Sequence, residues 1–180
     1  MTVFANPAGR APAEARAYTA AILELLGSRE PFEVLRSTPT ELRRAVAGAP
    51  RTALSTAEAP GKWSMLQVAQ HLADSEIVGG FRFRMALAED RPKLQGYNQD
   101  LWAQRLRYAD ADVEAALDLF ETLRRANLRM LERTSPEERE RVGVHSERGE
   151  ESVAHMIRMY AGHDLVHLRQ IARVRRTVGG

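Results

Sequence analysis

The chain has 180 residues, of which 44% are hydrophobic and 28% charged, the proportions of a globular protein large enough to bury a substantial core. Its 26 lysines and arginines nearly cancel its 24 acidic residues, and the two signs interleave along the chain, which argues against nucleic-acid binding. Cysteine is absent, excluding disulfides, thiolate nucleophiles and cysteine-based zinc sites; no run resembles a signal peptide or a membrane span, so the expected location is the cytoplasm.

Residues 1–12 carry Asn, Gly and two prolines and read as a flexible N-terminal tail, ahead of one domain over 13–180. A helical pattern runs from Ala13 to Gly27 with Tyr18, Ile22, Leu25 and Leu26 inward. Pro31 starts a short helical piece and Pro39 a separate one, with Thr38 as its cap and Glu41 three residues on. Residues 50–62 read as a loop. The second main helix starts at the cap Ser64 and runs to Glu89, before Pro92. Gly79 and Gly80 interrupt it, each costing roughly 1 kcal/mol against Ala, so a kink or a close helix contact is expected there.

A connecting segment follows, with a short helix over 99–107. The third main helix spans 110–133 on the stripe Val113, Leu117, Phe120, Leu123 and Leu131. Residues 135–152 read as a helical turn and a loop with room for a small hairpin. The fourth main helix spans 152–176, and Arg173, Arg175 and Arg176 near its end read as a basic terminus favoured by the helix dipole. Strand-like alternation is nearly missing. The expected fold is all-α, a four-helix bundle with short extra helices in its connections.

The chemistry concentrates in GHDLVHLRQ, where His163 and His167 lie one turn apart on the same helix face. The apolar seam of that helix runs through Met156, Tyr160, Ile171 and Val174, and the seam positions between them are occupied by the two imidazoles. Burying polar groups without a partner costs about 2–7 kcal/mol. His71 falls on the stripe Val68, His71, Leu72, Ser75, Val78 of the second main helix. If the two helices are neighbours, three ring nitrogens can meet at a metal about 2 Å from each, leaving a coordination position open as in catalytic sites. Imidazoles suit Zn, Ni, Fe and Cu alike. A hydrogen-bonded core pair fits the i, i+4 spacing as well, and the spacing leaves both readings open.

Other polar residues add detail. Asp74, three residues after His71, is placed to face the same pocket as a partner behind the ligands or a weak base. Glu76 and Asp164 point away from the histidines and are expected to form ion pairs, Asp164 with an arginine. His155 reads as rim, and His145 as a loop residue without a role. Asp100 and Trp102 are placed at a pocket mouth or in packing, and Arg82 or Arg107 near the pocket, able to hold carboxylates.

KWSMLQVAQHLADSE, GYNQDLWAQRLRY and YAGHDLVHLRQI, in that order, resemble the DinB-like (DinB/YfiT) superfamily, which is unrelated to the DNA polymerase sharing the name; the resemblance covers residues 30–174. It implies a four-helix bundle, often a homodimer, holding a divalent metal (Zn, Ni, Fe or Mn) on three histidines that match His71, His163 and His167. It also implies a small-molecule substrate, handled by hydrolysis or by transfer to a low-molecular-weight thiol such as bacillithiol or mycothiol; other members resemble stress-induced proteins without a known reaction. In the absence of cysteine, any thiolate has to come from a cosubstrate. The family's sulfoxide-synthase branch carries a glutamate shortly after the second histidine of the pair, where this chain reads His167, Leu168, Arg169, so that branch is not expected.

Overall fold

A computed structural model describes residues 12–178; the expected tail lies outside the described residues apart from Pro12, which opens the first helix. The elements in chain order are α1 (Pro12–Leu26), α2 (Pro31–Val46), α3 (Arg51–Ser55), α4 (Met65–Ala88), β1 (Lys93–Leu94), α5 (Gln99–Arg105), a 3-10 turn (Tyr108–Asp110), α6 (Val113–Leu131), α7 (Pro136–Arg139), β2 (Val142–His145), β3 (Gly149–Ser152) and α8 (Val153–Val178). No helix among the described residues is long and apolar enough to cross a membrane.

Local sequence explains most of the helix starts. Ser64 and Gln67 form a reciprocal capping box that opens α4, while Asn98 and Asp112 cap α5 and α6 with their side-chain oxygens. The four long helices around the core are α2, α4, α6 and α8: α4 packs on α6 and α8, and α2 packs on the same two. The all-α four-helix bundle expected from the sequence is therefore present, but α2 takes the place expected of α1, which packs on α8.

The reason lies at Pro39. Residues 31–46 form one continuous helix, not two short pieces, with Pro39 inside it. A proline removes the donor that the carbonyl four residues back would accept from. That carbonyl, on Leu35, instead accepts from the Arg124 guanidinium on α6 at 2.9 Å. Thr38 does not cap a new helix; it is buried and its hydroxyl donates to the Val34 carbonyl at 2.7 Å. The expected loop over 50–62 contains the short helix α3.

The anticipated hairpin forms: β2 and β3 pair antiparallel with Val142 opposite Ser152 and His145 opposite Gly149. β1 adds in parallel to β2, Leu94 opposite His145, so the strands make a small sheet of order β1-β2-β3. Gly149 holds a positive φ of 86° at the return of the hairpin, a conformation that glycine adopts without strain.

Two apolar cores fill the bundle. One is built around Leu42, Leu72, Phe120 and Ile171, the other around Leu26, Phe83, Leu131 and Met156. Between them, at the middle of α4, α6 and α8, lies a polar layer of His71, Glu76, Arg124, Asn127, Asp164 and His167, all buried. Gly79 and Gly80 sit within the continuous α4 and serve close contact: a Cβ on Gly79 would stand 2.5 Å from the Tyr160 ring, and one on Gly80 2.5 Å from the Asn127 amide.

Candidate metal centre and adjoining cavity

The packing of α4 on α8 brings together side chains 92 residues apart in sequence. His71 Nε2 lies 3.2 Å from His163 Nε2, and His167 Nε2 lies 3.1 Å from the same atom. One ligand atom from each of the three can be chosen so that all lie within 4.8 Å of one another, and theirs is the single such cluster among the described residues. Imidazole nitrogens held about 2.0–2.1 Å from a tetrahedral ion stand about 3.3 Å apart, close to these separations. His155, with the same element and a different phase, is half-buried and outside the cluster.

The rings are electrostatically prepared for a cation. Burial, then the neighbouring imidazoles, holds His71 well below the usual 6.5. Burial, followed by His163, does the same to His167. Burial, with Arg124 and Arg148 adding repulsion, pushes His163 down to about 4. At neutral pH all three are neutral and can offer lone pairs. His167 Nδ1 lies 2.9 Å from Gln170 Oε1, which fixes the hydrogen on Nδ1 and frees Nε2. The Nδ1 atoms of His71 and His163 are buried without a partner. Trp63 lies against the His71 ring, centroid to centroid 4.9 Å.

Behind the histidines stands a buried ionic bridge. Arg124 donates two bonds to Asp164, at 2.6 and 3.0 Å, and one to Glu76 at 2.9 Å. Both expected ion pairs thus form, and through a single arginine. Asn127 donates to the second oxygen of Glu76 at 3.0 Å. Burial disfavours the Arg124 cation, but Asp164 and then Glu76 outweigh it and raise its pKa. The bridge ties α4 to α8 through α6 next to His163. Arg124 escaped the sequence reading although it falls on the inner stripe of α6 between Phe120 and Leu131, where an apolar residue is the norm.

Asp74 is buried on α4, and its carboxylate accepts from the Tyr108 hydroxyl and from Gln70 at 3.1 Å. These bonds anchor the connecting segment to α4. Trp102 stacks on Tyr97 with centroids 4.5 Å apart, while Asp100 and Arg107 are exposed.

A cavity of about 90 Å³ opens beside the cluster, with His163 in its wall. Ile22 and Met159 give it apolar sides; Ser75, Tyr97, Tyr160, Arg82 and His145 give it polar ones. Of the two arginines placed near the pocket by sequence, Arg82 lines it and Arg107 does not. His145, like Arg124, is a residue that sequence reading missed. It is 2% exposed at the end of β2, where inward positions alternate with half-buried ones, a two-residue period too short to stand out in a helical chain.

Comparison with known proteins agrees with this geometry. The sequence profile of the DinB superfamily matches residues 35–171. A protein of Oceanobacillus iheyensis named "Putative metal-dependent hydrolase" is 31% identical over 137 residues, 76% of this chain and 79% of its own length. A Bacillus mycoides protein of like name is 28% identical over 144 residues, 80% of this chain and 83% of its own. Among solved structures, YfiT from Bacillus subtilis, described as "a probable metal-dependent hydrolase with an unusual four-helix bundle topology", superposes with a TM-score of 0.78 at 25% identity, covering 83% of this chain and 86% of that one.

Proposed function

The chain belongs to the DinB superfamily, and from that premise we propose that it is a metal-dependent hydrolase of small molecules in which His71, His163 and His167 hold one divalent ion. The observation that carries this reading is the convergence of three neutral imidazoles, two buried and one half-buried, with Nε2 atoms 3.1 and 3.2 Å apart. Without a cation, such a cluster crowds three ring nitrogens together in place of the apolar side chains that a helix seam normally carries. The name "Putative metal-dependent hydrolase" carried by the relatives from Bacillus mycoides and Oceanobacillus iheyensis supports it.

A divalent ion on three imidazoles supplies Lewis acidity and a nucleophile active near neutral pH. The chain's own residues do the rest. Gln170 orients His167, and the Arg124–Asp164 bonds hold α8 at the height of His163. Ser75 and Tyr160 present hydroxyls to the substrate cavity, Ile22 and Met159 keep part of it dry, and Glu147 brings a carboxylate to its wall. A low-molecular-weight thiol as cosubstrate would enter through the same cavity, since the chain has no thiol to contribute.

The test is metal content of protein purified without an affinity tag, with His71→Ala, His163→Ala, His167→Ala and His155→Ala beside it. About one divalent ion per chain is expected, lost in the first three variants and kept in the fourth. Turnover of activated esters and amides, with and without added small thiols, then identifies the reaction. Failure to bind Zn, Ni, Mn or Fe after reconstitution would overturn the proposal.

A further inference from the structure

The cavity beside the histidines holds more hydrogen-bond donors than the protein satisfies. Arg82, on α4, is 6% exposed. One of its terminal nitrogens donates to the Gln95 carbonyl, but its Nε is buried with no partner, and among the described residues no carboxylate forms an ion pair with it. Its guanidinium shares the cavity wall with Tyr160 and lies 5.9 Å from the centre of the Tyr97 ring.

His145, in the wall of the same cavity, ends β2. The Glu147 backbone N–H donates to its Nδ1 at 3.1 Å. Burial, with Arg148 and Arg82 nearby, pushes its pKa down to about 3, so the ring is neutral and its hydrogen resides on Nε2. That N–H is also buried without an acceptor. A buried donor left unpaired is costly and an unmatched buried charge more so, and two such groups in residues lining one cavity describe a site built for an acceptor that carries negative charge.

We propose that Arg82 and His145, with the Tyr160 hydroxyl between α4 and the sheet, form a subsite for the carboxylate of a small substrate whose reacting end faces the His163 wall of the same cavity. The charge balance favours a monoanion. Arg148 is already matched by Glu151 at 2.8 Å, whereas among the described residues no carboxylate pairs with Arg82, so one negative charge balances the site. Ile22 and Met159 complement a short aliphatic chain attached to that carboxylate. The assignment of this carboxylate to the substrate rests on the hydrolase reading above; the binding of a carboxylate by Arg82 and His145 does not.

Isothermal titration with butyrate, against its neutral isostere butyramide, separates the two. The metal-loaded protein and the same protein after chelation are both titrated, together with Arg82→Gln and with Arg107→Gln as an exposed control. Butyrate is expected to bind at least about tenfold more tightly than butyramide in both metal states, with that preference lost in Arg82→Gln and kept in Arg107→Gln. In parallel, the His145 Nε2–H proton resonance is expected to move downfield on addition of butyrate to the unaltered protein, a readout that does not depend on the folding of any variant. Equal binding of acid and amide, or an unmoved His145 resonance at saturation, would overturn the subsite. So would butyrate binding that survives Arg82→Gln and disappears on chelation, which places the carboxylate on the metal and leaves the metal reading standing. Arg82-dependent binding in a protein that takes up no metal would uphold the subsite and overturn the hydrolase.

Discussion

Removing the Arg124 guanidinium strands every buried acceptor that it joins behind the candidate site. In Arg124→Met the apolar stem remains, but Asp164 (0% exposed) and Glu76 (3% exposed) lose their common cation, and the Leu35 carbonyl loses the donor that substitutes for the missing N–H of Pro39. Breaking a buried ion pair by deleting one partner costs about 3–5 kcal/mol. Orphaning the Leu35 carbonyl adds about 1–3 kcal/mol. Together, at about 4–8 kcal/mol, they are a large fraction of the roughly 5–15 kcal/mol that holds a domain folded. At about 2–4 °C per kcal/mol for a chain of this size, the expected fall in Tm lies between about 8 and 30 °C, read by circular dichroism on metal-free protein.

Two companion variants identify the cause. Adding Glu76→Gln and Asp164→Asn to Arg124→Met removes the stranded charges and is expected to restore a large part of the loss. Arg124→Lys keeps the charge but lacks the fork that reaches Asp164 twice and Glu76 and Leu35 once each, so its Tm should fall between the two. A fall of less than about 4 °C in Arg124→Met, using the same conversion, would refute the reasoning, as would a triple variant no more stable than the single one.

Three further expectations concern packing, Asp74 and pH. A Cβ at Gly162 would stand 2.3 Å from Ile22 Cγ2 and 2.5 Å from the Ile22 carbonyl, a backbone atom that cannot swing aside, so Gly162→Ala should push α1 off α8 and cost about 1–3 kcal/mol in urea unfolding; an unchanged midpoint would contradict the close approach. Tyr108→Phe removes the hydroxyl donor of buried Asp74 and should cost about 1–3 kcal/mol while leaving metal content intact; loss of metal would instead give Asp74 a share in supporting the ligands. Because the folded-state values of His163 and His145 are pushed down to about 4 and about 3 from 6.5, their neutral forms contribute stability that is complete above pH 6.5. That contribution declines as the unfolded chain takes up protons below 6.5, and is lost as pH falls through the folded values. Melts of metal-free protein between pH 8 and 4 should reveal a decline that His145→Leu makes shallower, and a flat profile over that range would contradict the buried, neutral state of these rings.

Much of this molecule was legible in the chain because it depends on neighbours close in sequence. The capping box at Ser64 and Gln67, the apolar periodicity of the long helices and the one-turn spacing of His163 and His167 are consequences of local geometry, and they locate the bundle and two of the three clustered histidines. The position of His71 on an inner stripe is equally local, but its meeting with His163 is not, since the two are 92 residues apart and join only because α4 packs against α8. Tertiary structure alone decided that α2 runs through Pro39, because the donor that satisfies Leu35 arrives from 89 residues away. It also turned His145 inward, through the pairing of β2 with β1 and β3, and directed Asp74 to Tyr108. Helix periodicity tells which face of a segment is buried; which polar group meets which across the interior is determined by helix adjacency and register, and those emerge only when the whole chain packs.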